Sequence, residues 1–188
     1  EHKPCAPGTA QPAMGQGACE NCAAGHYQDG PGETACFACQ PGEYCTAGAS
    51  AGLPCPSGRF QNATLSALNI SMTSEDDCLV CPEGHFCSTG AAEATPCAPG
   101  TVQPLAERGT CDKCDAGTYQ DVPGRTSCLP CDAGSYCDVG AAAPLPCPSG
   151  RHQNGTMTAL NLSMASEDDC VECPAGAFCS TGTAEPTL

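Results

Sequence analysis

Apolar residues are scattered along this chain, and none of their runs approaches the roughly 18 residues needed to span a bilayer. What recurs is a fixed phrase: a cysteine, two residues, a glycine, one residue, and then a position that is usually aromatic. In the first half the phrase begins at Cys5, Cys22, Cys39, Cys55 and Cys81 and carries Gly8, Gly25, Gly42, Gly58 and Gly84. It ends on Ala10, Tyr27, Tyr44, Phe60 and Phe86, and in the second half on Val102, Tyr119, Tyr136, His152 and Phe178. A unit this small cannot bury a hydrophobic face by itself. The pattern therefore predicts short hairpins or double loops in which the glycine supplies a turn closed to bulkier residues. The aromatic is expected to pack on the adjacent disulfide and the next unit, so that stacking supplies what core there is. Proline and glycine throughout exclude long helices.

The residue after the aromatic separates two kinds of unit. It is glutamine at Gln11, Gln28, Gln61, Gln103, Gln120 and Gln153, and cysteine at Cys45, Cys87, Cys137 and Cys179. One segment breaks the pattern, the expanded loop between Cys55 and Cys78. There Leu68, Ile70 and Met72 alternate with Asn69 and Ser71, which predicts a short strand with one covered face, or irregular structure. A helix placing Leu65, Leu68 and Met72 on one face is the alternative.

The cysteines of the second half repeat those of the first at a constant offset of 92, from Cys5 and Cys97 through Cys87 and Cys179. This is tandem duplication. It divides the chain into a repeat at 1–92 with an expanded loop at 56–77, a second at 93–184 with its loop at 148–169, and residues 185–188 as the expected opening of a third. Glu1, Glu93 and Glu185 share one phase, as expected of a segment of a longer array.

Composition explains what must hold such units together. Of 188 residues 20 are cysteine, 22 glycine and 18 proline, while aromatics make up 4% and tryptophan is absent. A large apolar core has no raw material, and cysteine above about 8–10% marks a disulfide scaffold. Disulfides persist in oxidising compartments, which places the chain outside the cell, secreted or at the cell surface. The formal net charge of -15 repels phosphate backbones and anionic lipid, so neither nucleic acid nor membrane insertion of this segment is expected.

Cys22-Ala23-Ala24-Gly25-His26-Tyr27 through Cys36-Phe37-Ala38-Cys39 resembles the ephrin-receptor-like cysteine-rich repeat. More distantly it is similar to the modules of tumour-necrosis-factor-receptor ectodomains and to other small EGF-like disulfide modules. The resemblance covers the whole chain. It implies small disulfide-rich repeats, with short β-hairpins and irregular loops stacked end to end into an elongated rod with little helix, acting as spacer or receptor surface. The short unit Cys39-Gln40-Pro41-Gly42-Glu43-Tyr44-Cys45 looks like the arrays of large protist and algal surface proteins.

Four N-glycosylation acceptor patterns fall only in the expanded loops: Asn62-Ala63-Thr64, Asn69-Ile70-Ser71, Asn154-Gly155-Thr156 and Asn161-Leu162-Ser163. Their pairing at the 92-residue offset predicts covalent glycans that shield backbone and discourage aggregation. The simplest disulfide tiling closes each unit on itself: Cys5–Cys19, Cys22–Cys36, Cys39–Cys45, Cys55–Cys78 and Cys81–Cys87, then Cys97–Cys111, Cys114–Cys128, Cys131–Cys137, Cys147–Cys170 and Cys173–Cys179. Crossed pairings among Cys36, Cys39, Cys45 and Cys55 are the alternative, since connectivity is not fixed by sequence.

Cys19-x-x-Cys22 and Cys36-x-x-Cys39 have the spacing of a zinc ribbon, but the other six cysteines of the repeat would still need partners. No metal is expected. Ser74-Glu75-Asp76-Asp77 and Ser166-Glu167-Asp168-Asp169 lack the spaced ligands and glycine of a calcium loop and read as solvated charge. No histidine stands in a nucleophile arrangement, so no cofactor and no catalytic site is expected. These readings point to a structural repeat of an extracellular glycoprotein fibre, filament or surface stalk, partnered by further copies of itself or by the rest of a longer chain. A ligand-binding or adhesion ectodomain is the rival.

Overall fold

The computed structural model describes residues 3–14 and 16–187. Glu1 and Leu188, which enter the phase argument above, lie outside them. Two compact bodies form the chain. One comprises Glu1–Pro82, Phe86–Thr95 and Glu107–Thr110, the other Glu83–His85, Pro96–Ala106 and Cys111–Leu188.

The stapled units are small antiparallel hairpins with two-residue arms. In the first body Thr9–Ala10 pairs with Glu20–Asn21, His26–Tyr27 with Phe37–Ala38, Glu43–Tyr44 with Leu53–Pro54, and Arg59–Phe60 with Leu79–Val80. In the second, Thr101–Val102 pairs with Asp112–Lys113, Thr118–Tyr119 with Leu129–Pro130, Ser135–Tyr136 with Leu145–Pro146, and Arg151–His152 with Val171–Glu172. The recurring phrase writes the entry into each hairpin. At Gln40-Pro41-Gly42-Glu43, Glu43 N–H donates to the Gln40 carbonyl at 3.0 Å and Gly42 stands at φ 82°. Proline second and a positive-φ glycine third are the requirements of a type II turn.

Each bridge closes within its own unit. Pairs 14 residues apart are Cys5–Cys19, Cys22–Cys36, Cys97–Cys111 and Cys114–Cys128. Pairs 23 apart are Cys55–Cys78 and Cys147–Cys170. Cys39–Cys45, Cys81–Cys87, Cys131–Cys137 and Cys173–Cys179 are 6 apart. Closing a loop of about 15 residues nominally contributes ~3 kcal/mol by restricting the unfolded chain. The buried interior is mainly half-cystine, with Ala10, Met72, Val102 and Met164 between the sulfurs. Tyr44 packs on Cys55, Met72 and Cys78, and Tyr136 on Cys147, Met164 and Cys170. In both cases the ring covers the next unit's bridge.

The glutamine and the cysteine that follow the aromatic do different jobs. Gln28, 1% exposed, donates its side-chain amide to the Ala35 carbonyl and accepts the Gly30 N–H, tying down the long loop between them. Gln120 does the same with Ser127 and Val122. In a short unit the loop is cut, and Cys45 or Cys137 bonds back to Cys39 or Cys131 across the entry turn.

Successive units are joined by backbone. Gly25 N–H donates to Cys45, Gln28 N–H to Ala49, and Gly48 N–H back to Cys22. Contact also reaches one unit further. A Cβ on Gly42 would collide with the Gly90 carbonyl, two units on. Gly8 meets the Gly48 carbonyl and Gly58 the Glu107 carbonyl in the first body in the same way, while Gly25 meets the Ser71 Cβ. Gly84 with Gly124, Gly100 with Gly140, Gly117 with Ser163 and Gly134 with Gly182 repeat this in the second.

The expanded loop corrects the strand expectation. Ala63–Ala67 and Gly155–Ala159 are α-helices, named α1 and α2, and Leu68 to Met72 is turn and irregular chain. The alternation does not mark a covered face, because Leu68 and Ile70 are 64% and 49% exposed while Met72 is 1% exposed. The helical alternative is correct for Leu65 alone, since Leu68 and Met72 lie outside α1 and Met72 joins the Leu65 cluster from irregular chain, which is the other alternative for this segment.

Candidate glycosylation loop

The four acceptor asparagines are the caps of these two helices. Asn62 is the N-cap of α1, its Oδ1 accepting the N–H groups of Thr64 at 3.1 Å and Leu65 at 3.3 Å. That satisfies donors a helix start leaves without an intrahelical partner. Asn69 sits one position past the C-cap Leu68, at φ 54°. Its N–H donates to Ser66 and the Ile70 N–H to Leu65, at 3.0 and 2.9 Å. These two bonds are the Schellman closure, in which asparagine is the usual substitute for glycine. Asn154 caps α2 through Thr156 and Met157 in the same way. Asn161, at φ 55°, closes it through Thr158, with Leu162 donating to Met157.

Five residues are far too few to form a stable helix alone, so the surroundings must hold α1. Gln61 is the link. Its Oε1 accepts the Gly42 N–H of the preceding unit, and its Nε2 donates to Ser66 Oγ in the helix at 2.6 Å. Gln153 joins Gly134 to Thr158 Oγ1 alike. Leu65 and Met72 then fold the helix over the Cys55–Cys78 bridge.

Capping and glycosylation use different atoms. The first takes Oδ1 of Asn62 and the backbone of Asn69, whereas an N-linked sugar is carried on Nδ2. Asn69 and Asn161 are exposed, and Asn62 and Asn154 half-buried.

The acidic runs are built into the end of the loop. Glu75–Asp77 and Glu167–Asp169 are single 3₁₀ turns. Asp77 Oδ2 accepts from Thr73 N–H at 2.7 Å, Thr73 Oγ1 at 2.9 Å and Ser74 N–H at 3.2 Å. The Thr73 N–H above all holds this carboxyl below its ordinary value, with partial burial opposing it. Asp169 binds the Ala165 and Ser166 N–H groups. One carboxylate of each run therefore serves its own backbone. Phenols nearby are pushed up, Tyr136 by burial first and then by Glu167 and Asp138, and Tyr119 by burial and then by Asp132 and Asp121.

The zinc-ribbon spacing is accounted for by bridges: Cys19 joins Cys5, Cys22 joins Cys36 and Cys39 joins Cys45. Among the described residues no cysteine is free. What the sequence reading missed is the double capping. Its signal is an asparagine pair seven residues apart, the first followed by a helix-permissive stretch.

Compared with known proteins, residues 100–143 match the family described as tyrosine-protein kinase ephrin type A/B receptor-like. The matched stretch contains the whole Cys114–Cys128 unit and the short Cys131–Cys137 unit. No curated protein matches the chain.

Proposed function

We propose a structural role, from the premise that residues 100–143 match the ephrin-receptor-like family, a non-catalytic extracellular type of domain, and that the same stapled unit recurs along the chain. It is a segment of an extracellular glycoprotein fibre, filament or surface stalk, stiffened by disulfides and coated by N-glycans on the expanded loops. Its partners are further copies of itself or the rest of a longer repeat chain.

One observation carries this reading. The contact that reaches two units on is made by a backbone carbonyl at Gly8, Gly42, Gly58, Gly84, Gly100 and Gly134 and by a serine Cβ at Gly25 and Gly117, so it needs no particular functional group and is repeated in both copies. Such a joint suits indefinite repetition. The expanded loops, where a recognition site would be built by divergence, carry the same two caps, glutamine link and acidic turn in both copies.

A ligand-binding or adhesion ectodomain is the second reading, supported by the receptor name of the matching family. Electron microscopy of native material separates the two. The fibre reading expects filaments with an axial repeat set by the 92-residue period, and isolated particles without one overturn it.

A further inference from the structure

Beside α1 and α2, the two repeats carry the same groove. In the first it holds about 360 Å³ and is lined by residues including Gln40, Pro41, Ser66, Asn69 and Ile70. In the second it holds about 310 Å³, with Asp132, Ala133, Thr158, Asn161 and Leu162 at the matching positions. We propose that each groove seats the first sugar of an N-glycan carried by Asn69 or Asn161. This rests on the glycosylated reading above and adds to it a bound position for the sugar.

The occupant is named by the groove's own wall. In both repeats the second acceptor asparagine lines it, and Asn62 and Asn154 do not. The attachment point is held in place, because the Schellman bonds fix the Asn69 backbone at φ 54° and that of Asn161 at φ 55°. A sugar tethered there has a high effective concentration, so even a weak site fills.

The chemistry suits an N-acetylhexosamine, which has an apolar ring face and a methyl group beside its hydroxyls and amide. Ile70 and Leu162 offer apolar surface that is 49% and 54% exposed without a cover. Ser66 Oγ accepts from Gln61 and donates to the Asn62 carbonyl, which leaves it one lone pair for a sugar hydroxyl. Thr158 Oγ1 repeats this. Gln40 and Asp132 each add a side-chain acceptor. Three of the differences keep the kind of group, isoleucine against leucine, serine against threonine and amide oxygen against carboxylate, whereas Pro41 is replaced by Ala133 and Glu43 by Ser135. Ligand pockets begin at about 300 Å³, and these grooves lie at that lower end, the size for a single residue.

The test uses the 188-residue chain secreted from a glycosylating host, with native endoglycosidase release followed site by site in glycopeptides. Release at Asn69 and Asn161 is expected to be about tenfold slower than at Asn62 and Asn154, as protection by a closed state demands. Reduction and unfolding should abolish the difference. Ile70→Ala and Leu162→Ala, which keep both acceptor patterns, should each speed release at the neighbouring asparagine alone. Sugars at all four sites released at equal native rates overturn the seat and leave the glycan coat standing. Bare asparagines at all four overturn the coat as well.

Discussion

Arg59 Nε donates to Glu107 Oε1 at 2.9 Å across 48 residues of sequence. Glu107 does so from φ 61°, in the loop position where other units place glycine, and its N–H donates to the Cys81 carbonyl as theirs do to the matching cysteines. A left-handed conformation costs a non-glycine residue about 1–2 kcal/mol, and a largely exposed ion pair returns ~0.2–1 kcal/mol. The two substitutions that remove the pair should therefore differ. Glu107→Ala keeps the strain and should destabilise, whereas Glu107→Gly should be neutral or better. Denaturant midpoints of the oxidised chain check this, and an alanine variant at or above the glycine variant refutes it.

Glycine is demanded by space at Gly42 and merely permitted at Gly155. Gly42→Ala must leave a φ of 82° and push aside the Gly90 carbonyl, so a loss of about 2–4 kcal/mol is expected. Nothing lies within 4 Å of a Cβ on Gly155, and the first repeat has Ala63 there. Gly155→Ala should stabilise by about 0.5 kcal/mol. Thermal unfolding of the pair gives both signs.

The buried amide of Gln28 predicts a local effect. In Gln28→Ala the Gly30 N–H and Ala35 carbonyl lose their partner, at a cost of about 1–3 kcal/mol. Because Cys22–Cys36 still closes the unit, the loss should appear as faster amide exchange and proteolytic cutting within residues 29–35. Unchanged exchange at Gly30 would show that the glutamine is not the strut.

Acid should loosen the end of the expanded loop. The folded Asp77 carboxyl is held below its ordinary value by the Thr73 N–H first. A depressed carboxylate contributes stability that is fully present above its unfolded value, about 3.9, and is lost as pH falls through its folded one. Carboxyl-carbon NMR should find Asp77 titrating below an unperturbed aspartate, with Thr73 and Ser74 amides shifting together with it. Asp77→Asn should remove that step. A titration at or above that of an unperturbed aspartate refutes the assignment.

Much of the local architecture is legible in sequence, because a disulfide closure and a positive-φ glycine are decided within a few residues. Cys39, Gly42 and Cys45 state their unit almost completely. What sequence hides depends on distance or on brevity. The Gly42 contact with Gly90 joins positions whose spacing changes with every loop length, so no fixed period reveals it. Helix α1 is too short for a hydrophobic periodicity, and the alternation of Leu68, Ile70 and Met72 imitates a strand although Met72 alone is buried. The glutamines are visible as a pattern, but their role emerges only when the Gln28 amide is seen to brace Gly30 and Ala35 across its loop. Asn62 and Asn69 carry two signals in the same letters, acceptor pattern and helix cap, and the first obscures the second.

Because each unit leans on its second neighbour as well as its first, damage has a characteristic reach. Reducing Cys81–Cys87 would slacken the loop that covers Gly42 and the carbonyl that receives the Gly58 N–H, in two units whose own bridges remain intact. Under reductive attack the chain should therefore yield in blocks of about three staples, and a block that loses one can still be held by the other two until it heals.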